Sequence, residues 1–180
     1  MQSKQFHGDP ESLRSPERIS RLEIDRVVSL SLEQVVVNNV LDVGTGTGLF
    51  AEAFFSKCID VVGIDVNPEM LAIAKRHLPN NRFFQAAAEK LPYSDGSFDV
   101  VFLGLVLHET TDPVQALLEA HRVSARRVII LEWPYREESA GPPLEERLEA
   151  TAIENFIRLA GFHSWERFPL RHLELYRLER

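Results

Sequence analysis

Apolar stretches typical of buried strands alternate along this chain with amphipathic stretches typical of helices. Strands are predicted at residues 35–43, 58–64, 82–85, 98–103, 127–132, 163–168 and 172–178. Helices are predicted at residues 15–30, 49–57, 68–78, 113–123 and 144–160, with Gly161 as the stop signal of the last helix. This alternation predicts an α/β chain with a mostly parallel sheet.

Two segments indicate how the sheet is arranged. Residues 98–103 are almost continuously apolar, which is typical of a strand buried on both faces at the centre of a parallel sheet. The last two strands are joined by a tight turn at residues 169–171, and a connection so short requires an antiparallel pair. We therefore predict a doubly wound, seven-stranded sheet in which the last strand is antiparallel and helices cover both faces.

A glycine-rich turn follows the first strand and carries the most specific chemistry. Gly44, Gly46 and Gly48 allow a ligand to approach the backbone closely, and Asp42 lies two residues before the first glycine. The spacing is G-x-G-x-G, whereas a dinucleotide site uses G-x-G-x-x-G and binds a pyrophosphate that Asp42 would repel. A ligand with an ammonium or sulfonium group suits this acid. The alternative is that Asp42 only caps the turn.

A second acid, Asp65, ends the second strand about twenty residues beyond the loop. This is where α/β nucleotide sites put an acid on ribose hydroxyls. The alternative is that Asp65 caps the next helix, but Asn67 followed by Pro68 already supplies a start signal. Asp65 is therefore expected to bind ligand.

Composition and charge indicate one acidic domain that spans residues 1–180. The formal net charge is −7, which makes a nucleic-acid partner unlikely because such partners require clustered Lys and Arg. The N-terminus has no apolar signal-type segment and no apolar run is long enough to span a bilayer, so we expect a cytoplasmic protein.

Cysteine and histidine usage gives no sign of metal chemistry. Cys58 is the only cysteine, and its apolar neighbours favour a buried thiol over a nucleophile. No cluster of His, Cys and acidic residues has the spacing of a metal site, so no metal is expected.

The motifs, taken in order, resemble the class I S-adenosylmethionine-dependent methyltransferases, in particular the small type 11 group that is similar to ubiquinone and menaquinone biosynthesis enzymes. The resemblance rests on five segments, at residues 41–48, 63–71, 88–99, 106–108 and 119–123. It implies a Rossmann-like fold and methyl transfer to a small-molecule acceptor, with S-adenosylhomocysteine as the product. One departure is Ala87, where many relatives have an acid that accepts from the adenine amino group.

The resemblance also implies roles for individual residues. Asp42 and the backbone of Gly44, Thr45 and Gly46 would hold the methionine part of the cofactor. Asp65 would bind the ribose hydroxyls and Val66 would pack on the adenine. The adenine edge would be contacted by Ala88, Glu89 and the carbonyl of Leu103.

Methyl transfer can be catalysed by aligning the methyl donor with the acceptor, so we expect at most one general base. The candidate is His108, just past the central strand, with Glu109 as a possible orienting group. The alternative is that His108 only packs against the cofactor and shapes the pocket.

We expect the segments outside these motifs to determine which substrate binds. Residues 1–34 are predicted to form a helical lid, and residues 133–143 form a proline-rich connection. Arg14, Arg18 and Arg21 share a helical face that could meet an anionic substrate, although interleaved acids favour a solvated mixed face. An aromatic lining is possible from Phe6, Trp133 and Tyr135, or these residues are ordinary packing.

Two other functions are compatible with parts of the sequence. A non-catalytic cofactor-binding or regulatory subunit would be consistent with Ala87 and the small size. An NAD-linked oxidoreductase would account for the glycines and Asp65, but it leaves Asp42 and the glycine spacing unexplained.

Overall fold

The computed structural model describes residues 8–180 and has one seven-stranded sheet. The strands are β1 (Asn39–Val43), β2 (Asp60–Asp65), β3 (Arg82–Gln85), β4 (Phe98–Gly104), β5 (Ser124–Glu132), β6 (Trp165–Pro169) and β7 (Glu174–Glu179). Their order across the sheet is β3-β2-β1-β4-β5-β7-β6, and β7 alone runs against the other strands. The predicted fold class, with an antiparallel last strand, is confirmed.

Within residues 8–180, six α-helices accompany the strands. They are α1 (Pro16–Arg21), α2 (Ile24–Leu32), α3 (Leu49–Phe55), α4 (Pro68–His77), α5 (Pro113–Val123) and α6 (Ala150–Leu159). Short 3-10 helices occupy Pro10–Arg14, Leu107–Glu109 and Leu144–Glu146. Helices α1, α4 and α5 begin with proline after a polar residue whose side chain accepts a backbone N–H, as the capping signals predict: Ser15, Asn67 and Asp112.

The core lies on both faces of the sheet, and β4 is its central strand. Residues 100–103 are fully buried and alternate between the two faces. Val101 and Leu103 pack in the cluster that includes α5 and α6, whereas Val100 and Phe102 pack in the cluster that includes α2, α3 and α4. The carboxyl ends of β1, β2 and β4 are thereby held side by side at one edge.

Helix boundaries differ from the predictions where single residues leave helical geometry. The expected N-terminal helix is divided into α1 and α2 at Glu23, whose φ is +46°. The expected helix from residue 144 to 160 is a 3-10 turn followed by α6, because Arg147 between them has an extended backbone. The helical spacing of apolar residues predicts which face of a helix is buried, but it does not predict these breaks in the helical backbone.

The prediction of a buried Cys58 is wrong. Cys58 is exposed and has a φ of +62°, in the turn between α3 and β2. Strand β2 begins two residues later, at Asp60, and β1 is likewise shorter than predicted because it begins at Asn39.

Within residues 8–180, no helix combines the length and the apolar character needed to cross a membrane. In the same part of the chain, no group of three or more His, Cys, Asp or Glu side chains is arranged to hold a metal ion.

Candidate functional site

A cavity of about 1000 Å³ opens at the carboxyl ends of β1, β2 and β4. Open α/β sheets bind their ligands at this edge. Most of the residues predicted from the sequence line this cavity, namely Asp42, Gly44, Thr45, Gly46, Asp65, Val66, Ala88 and His108. The structure therefore brings residues from four separate motifs to one site.

The glycine loop has the backbone geometry that its composition predicts. Gly44 and Gly46 have φ values of +67° and +53°. A Cβ on Gly44 would lie 2.4 Å from the Cγ2 atom of Val106, so the loop packs directly against the segment after β4. A Cβ on Gly46 would meet only the Gly44 carbonyl oxygen, at 4.0 Å, and would project into open space beside the loop. Gly46 thus leaves room for a ligand.

Asp42 is a buried carboxyl group at the wall of the cavity. It is 2% exposed, and its Oδ2 atom accepts a hydrogen bond from the Thr45 hydroxyl at 2.7 Å. Burial raises the pKa of Asp42 to about 7, and the negative charge of Asp65 contributes in the same direction. A positively charged ligand would favour the ionised form of this group.

Asp65 connects the two motifs at the ends of β1 and β2. Its Oδ2 atom accepts from the backbone N–H of Gly46 and its Oδ1 atom accepts from that of Asn67, both at 2.8 Å. Asn67, rather than Asp65, caps α4, because the Asn67 side chain accepts from the N–H of Glu69. Burial raises the pKa of Asp65, although these backbone hydrogen bonds oppose the shift. A carboxylate offers about four acceptor positions, so Asp65 keeps capacity for a ligand.

Two predicted residues, Glu89 and Leu103, do not line the cavity. The Oε1 atom of Glu89 accepts from the backbone N–H of Thr111 at 2.8 Å, which fixes the segment before α5. Leu103 is fully buried within β4, and the residues that follow it, Gly104, Leu105 and Val106, form that part of the wall instead. Ala87, where the sequence departs from its relatives, does not line the cavity either.

His108 lies in the 3-10 helix after β4 and is held by a carboxylate that the sequence analysis missed. Its Nδ1 atom is 2.8 Å from Oε2 and 3.1 Å from Oε1 of Glu132. Glu132 also accepts from the backbone N–H groups of His108 and Trp133. The predicted orienting group, Glu109, is farther away, with its Oε1 atom 3.9 Å from Nε2 of His108.

The His108 and Glu132 side chains form a buried pair. Burial lowers the pKa of His108, but the attraction and hydrogen bond of Glu132 outweigh it, so the pKa is raised overall. Because a carboxylate only accepts, Nδ1 carries the proton and Nε2 is the basic nitrogen of the neutral ring. Glu132 is the last residue of β5, which pairs in parallel with β4. An acidic residue at the end of a predicted strand is therefore the sequence signal that could have identified Glu132.

The segment between β5 and α6 forms another wall of the cavity, through Trp133, Gly141 and Pro142. Arg147, 6% exposed, holds this segment in shape. Its guanidinium donates to the carbonyl oxygens of Pro134, Arg136, Ala140 and Pro142 at 2.7–3.2 Å. It also lies over the Trp133 ring, 5.5 Å from its centroid. Of the predicted aromatic residues, Tyr135 is exposed and away from the cavity, and Phe6 lies outside the described residues.

The N-terminal segment covers part of the same cavity, with Leu13, Arg18 and Leu22 at its wall. Arg14 attaches this segment to the glycine loop, since its Nη1 atom donates to the Thr47 carbonyl oxygen at 2.6 Å and its guanidinium pairs with Glu52. The three arginines predicted to share one face therefore separate, and Arg21 does not line the cavity.

Comparison with known proteins agrees with this geometry. A demethylmenaquinone methyltransferase of Chlorobaculum parvum is 45% identical over 86 residues, which are 47% of this chain and 35% of that protein. The Thermus thermophilus protein of the same name is 38% identical over 117 residues, 61% of this chain and 53% of that protein. The chain thus spans about a third to a half of the length of these relatives.

The fold is shared by a solved structure, described as a SAM dependent methyltransferase from Aquifex aeolicus. It superposes with a TM-score of 0.84 at 24% identity and covers 97% of this chain and 99% of that one. The family described as "Methyltransferase domain" matches residues 41–131. Because that match covers just over half of the chain, the chain belongs to this family, the class I S-adenosylmethionine-dependent methyltransferases.

Proposed function

We propose that this protein transfers the methyl group of S-adenosylmethionine to a small-molecule acceptor. Membership of the family supports the cofactor and the reaction. The acceptor does not follow from the named relatives, because the chain spans only 35% and 53% of the two compared above. The acceptor class therefore depends on this chain's own cavity.

The residues at the cavity fit S-adenosylmethionine. The observation that carries the proposal is the buried carboxyl of Asp42 beside the open glycine loop, which suits a ligand with a positively charged end. Gly44, Thr45 and Gly46 would hold the methionine part, Asp65 the ribose hydroxyls, and Val66 and Ala88 the adenine. The proposed site omits Glu89 and Leu103, whose positions away from the cavity do not support the roles expected from the sequence.

His108 is proposed as the general base. S-adenosylmethionine supplies an electrophilic methyl group when it is bound. His108 lines the same cavity, and its Nε2 atom can accept the proton that a hydroxyl or amine acceptor loses. Glu132 would orient the imidazole and stabilise its protonated form, as a carboxylate does on the far side of a catalytic histidine.

Several predictions from the sequence stay part of this proposal. These are a single domain over residues 1–180 with residues 1–34 as its lid, a cytoplasmic location and an acceptor that is not nucleic acid. The lid role is supported by Leu13, Arg18 and Leu22 at the cavity wall.

Calorimetry with S-adenosylhomocysteine and with NAD tests the cofactor site. We expect the wild type to bind S-adenosylhomocysteine, and Asp65→Ala to weaken this binding tenfold or more, which is about 1.4 kcal/mol or greater. Asp60→Ala is the matched control, because Asp60 is exposed at the opposite end of the same strand. Binding of NAD alone, or unchanged affinity in Asp65→Ala, would contradict the proposed site.

Transfer itself is tested by supplying isotope-labelled S-adenosylmethionine and a cell extract, and by searching for labelled products by mass spectrometry. We expect a labelled small molecule. Firm cofactor binding without any labelled product across extracts would favour the non-catalytic binding subunit instead.

A further inference from the structure

The charged residues at the cavity wall are mainly acidic. Four acids line the cavity, namely Asp42, Asp65, Glu109 and Glu146. Among the described residues of this wall, Arg18 is the only lysine or arginine. The proposed function assigns Asp42 and Asp65 to the cofactor, so Glu109 and Glu146 are left to act on the methyl acceptor.

Glu109 and Glu146 come from two different elements and both act on His108. Glu109 ends the 3-10 helix after β4, and Glu146 ends the 3-10 helix before α6. The Oε1 atom of Glu109 lies 3.9 Å from the Nε2 atom of His108. Burial lowers the pKa of His108, whereas the nearby charges of Glu132, Glu109 and Glu146 raise it. The nitrogen that is proposed to accept a proton therefore lies in a negative electrostatic potential.

One positive charge partly offsets these acids. Burial lowers the pKa of Arg18, and the charge of Glu109 acts against this shift, so Arg18 lies near Glu109. Three acids, Glu109, Glu132 and Glu146, act on His108. A single arginine does not neutralise three carboxylates, so this part of the cavity attracts a cation.

The Nε2 atom of His108 is a second and independent indication of a ligand here. His108 is only 6% exposed and lines the cavity. Its Nδ1 atom is held by Glu132, but no residue in the described part of the chain hydrogen-bonds to Nε2. Within residues 8–180, the Glu146 carboxylate likewise makes no hydrogen bond or ion pair. Both groups keep hydrogen-bonding capacity for a ligand.

An apolar wall lies beside these polar groups. Trp133 follows Glu132 directly in the chain, is 5% exposed and lines the cavity. A Cβ on Gly141 would lie 2.8 Å from the Trp133 ring, so residue 141 packs directly against this side chain. A hydrocarbon or aromatic body suits this wall, and a charged end group suits the acids next to it.

We propose that the methyl acceptor is an amine whose ammonium group binds Glu109 and Glu146 beside His108, an inference that rests on the proposed function. An ammonium donates strong, charge-assisted hydrogen bonds to carboxylates. The same two acids would repel a negatively charged acceptor.

This acceptor gives the general base a defined task. An ammonium nitrogen has no lone pair, so it must lose a proton to Nε2 of His108 before it can react. The freed lone pair then forms a bond to the methyl carbon of S-adenosylmethionine, while the bond from that carbon to sulfur breaks and its electron pair stays on sulfur. The products are a methylated ammonium and S-adenosylhomocysteine, and His108 returns its proton to solvent.

Calorimetry with three probes at neutral pH tests the charge preference. Benzylamine, benzyl alcohol and benzoate share a phenyl ring and differ in the charge of the end group, and each is titrated into protein saturated with S-adenosylhomocysteine. We expect benzylamine to bind about tenfold tighter or more than the other two probes, as expected for a hydrogen bond between charged groups.

Substitutions of Glu146 show where the preference arises. Glu146→Gln should weaken benzylamine about tenfold and leave benzyl alcohol unchanged, and Glu146→Lys should make benzoate the tighter ligand. Glu145→Gln and Glu145→Lys are the matched controls, because Glu145 is exposed, adjacent in the chain and away from this cavity. Thermal unfolding verifies that each variant is folded.

Two results of the titrations would overturn the proposal. One is wild-type protein that binds benzylamine no tighter than benzyl alcohol or benzoate. Tighter benzoate would favour the anionic substrate that the N-terminal arginines suggest in the sequence. The other is a set of Glu146 variants that behave like the Glu145 variants, since the attraction would then come from the general surface charge.

The labelled product of the transfer assay provides a separate readout. Mass spectrometry should locate the labelled methyl group on nitrogen. A label on carbon or oxygen would contradict the amine acceptor and leave the proposed methyl transfer intact. Failure of the wild type to bind S-adenosylhomocysteine would contradict the proposed function instead, and titration of the unloaded protein with the three probes would still measure the charge preference.

Discussion

The carboxyl group of Asp42 titrates near neutral pH in the free protein, because burial raises its pKa to about 7. A ligand ammonium or sulfonium group beside it favours the ionised form. Binding therefore requires loss of the proton at low pH, and affinity for S-adenosylhomocysteine should fall as the pH drops through 7. The decrease between pH 8 and pH 6 should be about tenfold.

Calorimetry across this pH range measures the effect, and titrations in buffers of different ionisation enthalpy report the proton released. Asp42→Asn should bind weakly at every pH and show a flat profile. A flat profile in the wild type would show that Asp42 does not titrate on binding.

His108 and Glu132 make a second prediction at the scale of single residues. His108→Asn should reduce methyl transfer by about a hundredfold or more, the usual contribution of a general base, while S-adenosylhomocysteine still binds. His77→Asn is the control, because His77 is exposed at the end of α4. Unchanged turnover in His108→Asn would reduce His108 to a packing role, the alternative left open by the sequence.

In the proposed mechanism Glu132 acts through His108, so its variant should move the pH profile rather than abolish activity. Glu132→Gln removes the charge that raises the pKa of His108, and burial then lowers that pKa. The histidine becomes neutral at lower pH, so the rising limb of the rate against pH should shift to lower pH. A profile that stays in place would contradict the positioning role.

At the scale of elements, the segment between β5 and α6 depends on one side chain. Arg147→Met keeps much of the side-chain length but leaves four carbonyl oxygens without their donor. The free energy of unfolding should fall by about 3 kcal/mol, as expected when buried polar groups lose a charged partner. Denaturant titration followed by tryptophan fluorescence measures this change.

Arg158→Met is the control for that experiment. Arg158 is exposed on α6, where it pairs with Glu154 at 3.7 Å and lies over the Trp165 ring, 5.1 Å from its centroid, so its loss should change stability by about 1 kcal/mol or less. Equal effects of the two substitutions would mean that Arg147 does not organise the segment.

The same arginine explains why one helix was predicted too long. Residues 144–160 have apolar positions at helical spacing, but Arg147 is drawn back to the carbonyl oxygens of the preceding turn. Its backbone is extended as a result, and α6 begins only at Ala150. Such a contact between a side chain and a distant backbone leaves no trace in periodicity.

At the scale of the whole molecule, the sheet was predictable because its local signals agree with one another. The apolar run of β4, the capped helices and the tight turn before β7 each predict the same α/β fold. The part of the cavity that contains Asp42 and Asp65 was predictable for a related reason. Asp42 and Asp65 lie at the carboxyl ends of the neighbouring parallel strands β1 and β2, so the pairing of these strands brings them to the same edge of the sheet.

The part of the cavity around His108 was harder to predict because it is built by contacts between distant segments. Glu132 lies within hydrogen-bond distance of His108, 24 residues away in the sequence, and Arg14 joins the N-terminal segment to the glycine loop. The charges of these residues are visible in the sequence, but the pairs that they form in the fold are not. Adjacency in the sequence predicts Glu109 as the partner of His108, whereas the nearer carboxylate is that of Glu132.

The attachment of the N-terminal segment also has a kinetic consequence. Ion pairs of Arg14 with Glu52 and of Arg76 with Glu11 hold the 3-10 helix Pro10–Arg14 against the glycine loop and α4. Ser12 and Leu13 of this helix line the cavity, so we expect ligand exchange to require their displacement. Added salt screens exposed ion pairs, with a Debye length of about 3 Å at 1 M. Dissociation of S-adenosylhomocysteine, measured by stopped-flow, should therefore become faster as the ionic strength rises. The lifetime of the complex would then depend on ion pairs at the protein surface.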